Sequence, residues 1–63
     1  MDPKIIPFKE YIIEIHEHPI YHDFEFVVKK DGKVVGASTQ QYQFPTDAEV
    51  NAKLLIGSFR SMI

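Results

Sequence analysis

The fold is decided by the stretch Phe24-Glu25-Phe26-Val27-Val28-Lys29-Lys30-Asp31-Gly32-Lys33-Val34-Val35-Gly36-Ala37-Ser38. A type I′ turn needs positive φ at both central residues, and Asp31-Gly32 adopts that conformation at little steric cost. On both sides of this dipeptide the chain is rich in β-branched and aromatic residues, and on the N-terminal side these alternate with charged ones, as in a strand with one buried face. The stretch therefore predicts an antiparallel hairpin.

The turn also predicts the register of the hairpin. With the Asp-Gly dipeptide as the loop, Val28 pairs with Val35 and Phe26 pairs with Ala37. The predicted buried face then consists of Phe24, Phe26, Val28, Val35 and Ala37. Gly36 is predicted on the opposite face, where a missing side chain marks a bulge or a close backbone approach.

The N-terminal third of the chain predicts one more strand. Residues 8–17 alternate apolar and polar side chains, and Pro19 lies in the connection to the next strand. Residues 1–7 contain two prolines, which predict an extended lead-in or a sheet edge. Strands at 8–17, 22–30 and 33–39 would form a three-stranded antiparallel meander, and we expect Tyr42 and Phe44 to cover the end of its core.

The C-terminal third predicts one helix, over residues 46–62. Thr46 and Glu49 fit a capping box at its start. A helical stripe of apolar residues follows, formed by Ala48, Ala52, Leu55, Phe59 and Met62. This stripe would cover one face of the sheet, giving a two-layer α+β domain in the order β-β-β-α. Gly57 costs near 1 kcal/mol relative to alanine in such a helix, and either a close helix–sheet approach or simple tolerance explains it.

Length and composition limit the classes of function. The 63 residues make one small domain, and the absence of cysteine excludes disulfides and thiolate metal sites. A formal net charge of −2 argues against the basic footprint of a nucleic-acid binder. No apolar run approaches the ~20 residues of a membrane span, and the first residues lack the pattern of a signal peptide. We expect a soluble cytoplasmic protein without a membrane partner and without a cofactor.

A family resemblance rests on residues of the hairpin and helix, which are Phe24, Phe26, Asp31, Gly32, Lys33, Val34, Val35, Ser38, Tyr42, Ala48, Ala52 and Ile56. In this pattern the chain resembles the small YegP-like domains over about residues 21–56. That family has no established activity, so the resemblance implies a fold more than a function. The chain is also similar to HicB-type antitoxin domains, which run three strands into a helix, although their Gly-Cys signature is missing here.

Three histidines, His16, His18 and His22, are the candidate metal ligands. His16 and His18 share a face if the strand extends that far, and His22 would return opposite His16 across the hairpin. Three imidazoles can hold zinc or nickel. The spacing matches no established motif, however, and histidines solvated at a polar hairpin end are the simpler interpretation. We therefore expect no bound metal.

Three lysines, Lys29, Lys30 and Lys33, lie near the hairpin turn and are the candidate phosphate contacts of a nucleic-acid-associated accessory protein. Solvated lysines that protect a sheet edge from pairing are the simpler interpretation, so nucleic acid is not the partner we expect. The sequence contains no phosphate-binding loop, no nucleophile elbow and no cysteine nucleophile, and it predicts no enzyme.

Apolar residues outside the predicted core point to a protein partner. Ile12, Val27 and Val34 lie among charged residues on the predicted outer face of the sheet, and Val50 and Leu54 form a second stripe on the helix. These five residues are the candidate partner-binding set. We expect a small protein-interaction or regulatory module that forms a homodimer or binds another protein. An antitoxin-like or phage-type inhibitor is the alternative.

Overall fold

The computed structural model describes residues 2–61, which form a four-stranded antiparallel sheet with one helix on one face. The strands are β1 (Lys4–Phe8), β2 (Tyr11–Glu17), β3 (Phe24–Lys30) and β4 (Lys33–Ala37), and the helix is α1 (Pro45–Ser61). Neighbouring strands in the sheet follow one another in the chain. The predicted α+β class and C-terminal helix are confirmed, whereas the prediction of three strands is wrong. Met62, predicted as the last helical residue, lies outside the described residues.

The additional strand is β1, which pairs with β2 from Lys4 opposite Ile15 to Phe8 opposite Tyr11. Lys9 and Glu10 are left as a two-residue turn, in which Lys9 has a φ of 57°. Such positive values are uncommon outside glycine, and the turn contains none of the residues that usually signal one. The predicted strand 8–17 therefore merged the end of β1, this turn and β2.

The hairpin turn between β3 and β4 is as predicted, but the register beyond it is not. Asp31 and Gly32 both have positive φ, at 54° and 78°, and Lys30 lies opposite Lys33. The register then shifts, because Val34 lies opposite Lys29 while Gly36 lies opposite Val28. A β-bulge at Val35 accounts for the extra residue.

The bulge changes the face on which the following residues lie. The predicted pairs of Val28 with Val35 and of Phe26 with Ala37 are wrong, since Ala37 lies opposite Val27. Val35 and Ala37 are both exposed and do not belong to the core. One extra residue in β4 thus exchanges the inward and outward positions of every residue after it.

Gly36 faces the helix because of this bulge, not the outer side of the sheet as predicted. A Cβ atom at Gly36 would lie 2.9 Å from Cδ2 of Leu55 and 3.0 Å from Cζ of Phe59. The close approach between sheet and helix is therefore at Gly36. A Cβ atom at Gly57 would meet nothing within 4 Å, so packing against the sheet does not explain that glycine.

The core lies between α1 and the inner face of β2 and β3. Its buried residues are Tyr11, Ile13, Ile15, Phe26, Val28, Ala48, Ala52 and Ile56. Tyr42 packs on this core as predicted, with its ring 6.1 Å from that of Phe26, whereas Phe44 is exposed. Tyr42 also exchanges two backbone hydrogen bonds of 2.7 Å with Phe24, which extends the pairing along β3 beyond the short β4.

The helix begins one residue earlier than predicted. The carbonyl of Phe44 accepts the amides of Asp47 and Ala48 at 3.2 and 3.3 Å, so Pro45 occupies the first helical position, where its fixed φ is favourable. The carboxylate of Glu49 contacts Nζ of Lys53 at 3.0 Å. The predicted capping box is therefore wrong. Within residues 2–61, no helix combines the length and the apolar character needed to cross a membrane.

Candidate interaction surface

The face of the sheet turned away from α1, here called the outer face, carries four large apolar side chains, one from each strand. Alternation along the strands places Ile5, Ile12, Val27 and Val34 on it. Ile5, Ile12 and Val34 are exposed and Val27 is half-buried. The structure thus brings together the three sheet residues of the predicted partner-binding set and adds Ile5, which sequence reasoning missed because it did not recognise β1 as a strand.

The polar centre of the outer face is Glu14, in the middle of β2. Its carboxylate accepts a hydrogen bond from Nζ of Lys29 at 2.9 Å and one from Nε2 of His16 at 3.0 Å. The bond from Lys29, followed by that from His16, lowers the pKa of Glu14 below its usual value, while partial burial opposes this effect. The carboxylate is therefore charged at neutral pH and already has its counter-ion within the same protomer.

The two helical residues of the predicted partner-binding set lie elsewhere. Val50 and Leu54 are one helical turn apart and exposed, whereas Ala48, Ala52 and Ile56 of the same helix are fully buried against the sheet. Val50 and Leu54 therefore point away from the sheet, on the opposite side of the molecule from the outer face. The predicted set is divided between two surfaces that one partner cannot cover with a single flat contact.

The three lysines predicted as a basic hairpin tip do not form one surface. Lys29 is bonded to Glu14 on the outer face. Lys30 lies on the helix side of the sheet, with Nζ 5.7 Å from the centre of the Tyr11 ring. Lys33 is exposed beside the turn, opposite Lys30. Strand alternation separates Lys29 from Lys30, so the described residues offer no continuous basic patch at this turn.

The three histidines lie in separate surroundings and do not converge on one point. His16 contacts Glu14, and Nδ1 of His22 lies 3.1 Å from Oε2 of Glu17. The residue opposite His16 is Glu25, so the predicted return of His22 to that position is wrong. His18 lies in the loop between β2 and β3. In the part of the chain that the structure describes, no group of three or more histidine or carboxylate side chains is placed to hold a metal ion.

A polar depression of about 280 Å³ lies beside the end of β4, and its lining residues are Glu25, Ser38, Thr39, Gln40 and Gln41. Ligand pockets are usually larger, at roughly 300–1,000 Å³, and are lined mainly by apolar side chains. Oγ of Ser38 already accepts a hydrogen bond from the Phe26 amide at 3.2 Å. The depression lacks the apolar wall and the converging reactive groups of a binding site for a small molecule.

Comparison of the chain with protein-family models, with curated proteins and with solved structures finds no match. The resemblance to YegP-like domains therefore stays a prediction from the hairpin and helix residues.

Proposed function

We propose that this chain is a small protein-interaction module that forms a homodimer by packing its outer face against that of a second copy. The observation that supports this proposal is that Ile5, Ile12, Val27 and Val34 lie on one face of the sheet, two on each side of the ion pair between Glu14 and Lys29, while the helix covers the other face. Exposed apolar side chains that share one face of a sheet are a common feature of protein-interaction sites.

A second copy suits the charges of this face. In a two-fold symmetric dimer the same surface of both protomers forms the interface. An unpaired charge on this surface would therefore lie close to the identical charge of the other protomer. Glu14 is already neutralised by Lys29 within one protomer. A second copy can therefore cover this pair without leaving Glu14 as a lone buried charge, which would be strongly destabilising. Glu25 is exposed on the same face, two residues from Val27, and would have to lie at the rim of the contact.

The size of the face predicts a weak dimer. The four strands have five to seven residues each. With about 4.8 Å between neighbouring strands and a rise of about 3.3 Å per residue, the outer face has a flat area of roughly 400 Å². Two such faces bury on the order of 800 Å², below the roughly 1,200–2,000 Å² of stable interfaces. We therefore expect an equilibrium between monomer and dimer that dilution shifts.

Sedimentation velocity tests this proposal when it covers protein concentrations from about 5 to about 500 µM. The informative variant is Val34→Lys, because Val34 lies on the outer face and is 61% exposed. Its matched control is Val50→Lys, the same change at a helical residue that is 55% exposed on the other side of the molecule. We expect the wild type and Val50→Lys to dimerise with rising concentration, and Val34→Lys to stay monomeric.

Two results would contradict the proposal. One is a wild type that sediments as a monomer throughout the range. The other is a dimer that survives Val34→Lys and is lost in Val50→Lys, because that outcome assigns the interface to α1. Circular dichroism of both variants checks that each change leaves the domain folded.

The nucleic-acid alternative has no comparable support, because Lys29, Lys30 and Lys33 lie on different sides of β3 and its turn. It stays a prediction from the sequence. A titration with DNA and RNA at low ionic strength tests it, since binding through phosphate contacts weakens steeply with salt.

A further inference from the structure

The loop between β2 and β3 contains an isolated helical turn, formed by residues 18–22. The amide of His22 donates to the carbonyl of His18 at 2.9 Å, which is the hydrogen bond of one α-helical turn. Pro19 occupies the first position of this turn, where proline is favoured. His22 ends it with a φ of 59°, the left-handed conformation that commonly ends helices.

His18 acts as the N-cap of this turn. Its Nδ1 accepts the amides of Ile20 and Tyr21 at 3.3 and 3.4 Å, the two donors that an N-cap side chain ordinarily satisfies. Its ring lies 5.0 Å from that of Tyr21. The amide of His18 donates in turn to the carbonyl of Asp23 at 2.8 Å, which closes the loop at its base. The conformation of the loop is therefore determined by its own contacts.

This ordered turn presents two large apolar side chains to solvent. Ile20 is 73% exposed and Tyr21 is 75% exposed. A flexible loop loses conformational entropy when a partner orders it, whereas a turn held by its own hydrogen bonds has lost most of that entropy on folding. Rigid aromatic side chains with neighbouring aliphatic ones are the groups that most often carry binding energy at protein interfaces.

The charges around this turn define the kind of surface that it fits. Residues 10–28 contain five carboxylates and no lysine or arginine. Those nearest the turn are Glu17, Asp23 and Glu25, and the only cationic groups within the loop are its histidines when protonated. An acidic surround repels the anionic surface of a membrane and favours a protein surface that carries lysine or arginine.

We infer that Ile20 and Tyr21 form a second interaction site, independent of the outer face, which inserts into an apolar pocket rimmed by basic residues on a different protein. The site carries two highly exposed anchors, so its complement is a pocket that can receive them. The basic rim would pair with Glu25, whose side chain is exposed, because Glu17 is already bonded to His22 and Oδ1 of Asp23 is buried.

Site-directed photo-cross-linking in the cells that produce the protein tests this inference. A benzophenone amino acid replaces Tyr21 in one full-length variant and Leu54, an exposed residue of α1, in the control variant. We expect position 21, but not position 54, to cross-link to a protein other than this chain. The cross-linked peptide should lie beside lysine or arginine. When the cross-linking is repeated in a lysate of the same cells, added wild-type protein should compete, whereas Ile20→Ser should compete about thirtyfold less well, as for the loss of a central anchor.

The inference is overturned if position 21 yields no cross-link, if positions 21 and 54 yield the same products, or if the product is a second copy of this chain. A cross-linked site surrounded by acidic residues would also contradict it. Ile20→Ser leaves the ring contact between His18 and Tyr21 in place, so its amide spectrum is expected to match the wild type away from residue 20.

Vesicle binding separates a protein partner from a lipid surface. Vesicles of phosphatidylcholine with about 30% phosphatidylserine serve as the probe, and the wild type is compared with Ile20→Ser. We expect neither protein to sediment with the vesicles. Binding by the wild type that is lost in Ile20→Ser would assign the turn to a membrane surface and overturn the inference.

Discussion

The inner and outer faces of the same sheet contain similar residues but differ in what covers them. Ile13 on the inner face is completely buried under α1, while its neighbour Ile12 on the outer face is 37% exposed. No charged group is among the buried residues of the described chain, whereas the outer face has Glu14, His16 and Lys29 at its centre. The inner face holds the core against α1, whereas among the described residues no helix packs on the outer face.

The largest expected effect separates these two faces directly. Ile13→Ala should lower the free energy of unfolding by about 2–5 kcal/mol, because it removes buried methyl groups and leaves a cavity. A domain of this size has roughly 3–5 kcal/mol of stability, so most of the variant should be unfolded. Ile12→Ala should cost under about 1 kcal/mol at low protein concentration. Urea unfolding followed by circular dichroism measures both, and equal losses would show that the outer face also supports the fold of the monomer.

The next effect contrasts two glycines, and we expect the same substitution to act in opposite directions. Gly36→Ala places a methyl group 2.9 Å from Leu55 and 3.0 Å from Phe59, so it should destabilise by about 1 kcal/mol or more as the two side chains move. Gly57→Ala has open space and should stabilise by up to about 1 kcal/mol through helix propensity. Midpoints of urea unfolding measure both changes. A gain in stability from Gly36→Ala would contradict the packing of the inner face around the bulge.

A smaller effect is expected in the loop between β2 and β3, which belongs to neither face. His18→Ala removes the acceptor for two amides and should cost about 0.5–1 kcal/mol, as for other N-caps. His18→Asn keeps a capping oxygen and should restore most of the loss. Hydrogen exchange at the amides of Ile20 and Tyr21 reports the change locally. Unchanged protection in His18→Ala would show that the cap does not order the turn.

The smallest effect concerns the polar centre of the outer face and its dependence on pH. The pKa of Glu14 is lowered in the folded state, so the unfolded chain takes up the proton first as the solution is acidified. The stabilisation from Glu14 is therefore present above the ordinary glutamate value of about 4.3 and is lost as the pH falls through the lower folded value.

A double-mutant cycle of Glu14→Gln and Lys29→Met measures this contribution. The coupling energy between the two residues should be favourable at neutral pH and should decrease as the pH falls through the lowered pKa of Glu14. Urea unfolding of the four proteins from about pH 3 to about pH 7 provides the data. A coupling that persists unchanged at the acidic end would contradict the assigned ion pair.

Local signals in the sequence predicted the parts of the fold that depend on local chemistry. Asp31-Gly32 indicated its turn, and the alternation in β2 and β3 indicated their buried residues. The Lys9–Glu10 turn was missed because lysine and glutamate give no turn signal, so β1 was missed with it. The bulge at Val35 has no local signature either, and it reversed the predicted positions of Gly36 and Ala37.

The candidate surfaces were predictable to the extent that strand alternation determines them. Ile12, Val27 and Val34 were assigned to the outer face correctly, because β2 and β3 are regular and Val34 precedes the bulge. The separation of Lys29 from Lys30 follows from the same alternation. The exposed turn with Ile20 and Tyr21 was missed. His18 caps this turn through the conformation of the loop, and no periodic pattern in the sequence indicates such a cap.

The central claim is that the outer face binds a second copy, and methyl NMR during dilution tests it most directly. Spectra of the isoleucine and valine methyl groups are recorded from about 500 µM down to about 5 µM. If two outer faces pack together, the methyl signals of Ile5, Ile12 and Val34 shift with concentration while those of Val50 do not. Shifts confined to Val50, or spectra that do not change on dilution, would contradict it.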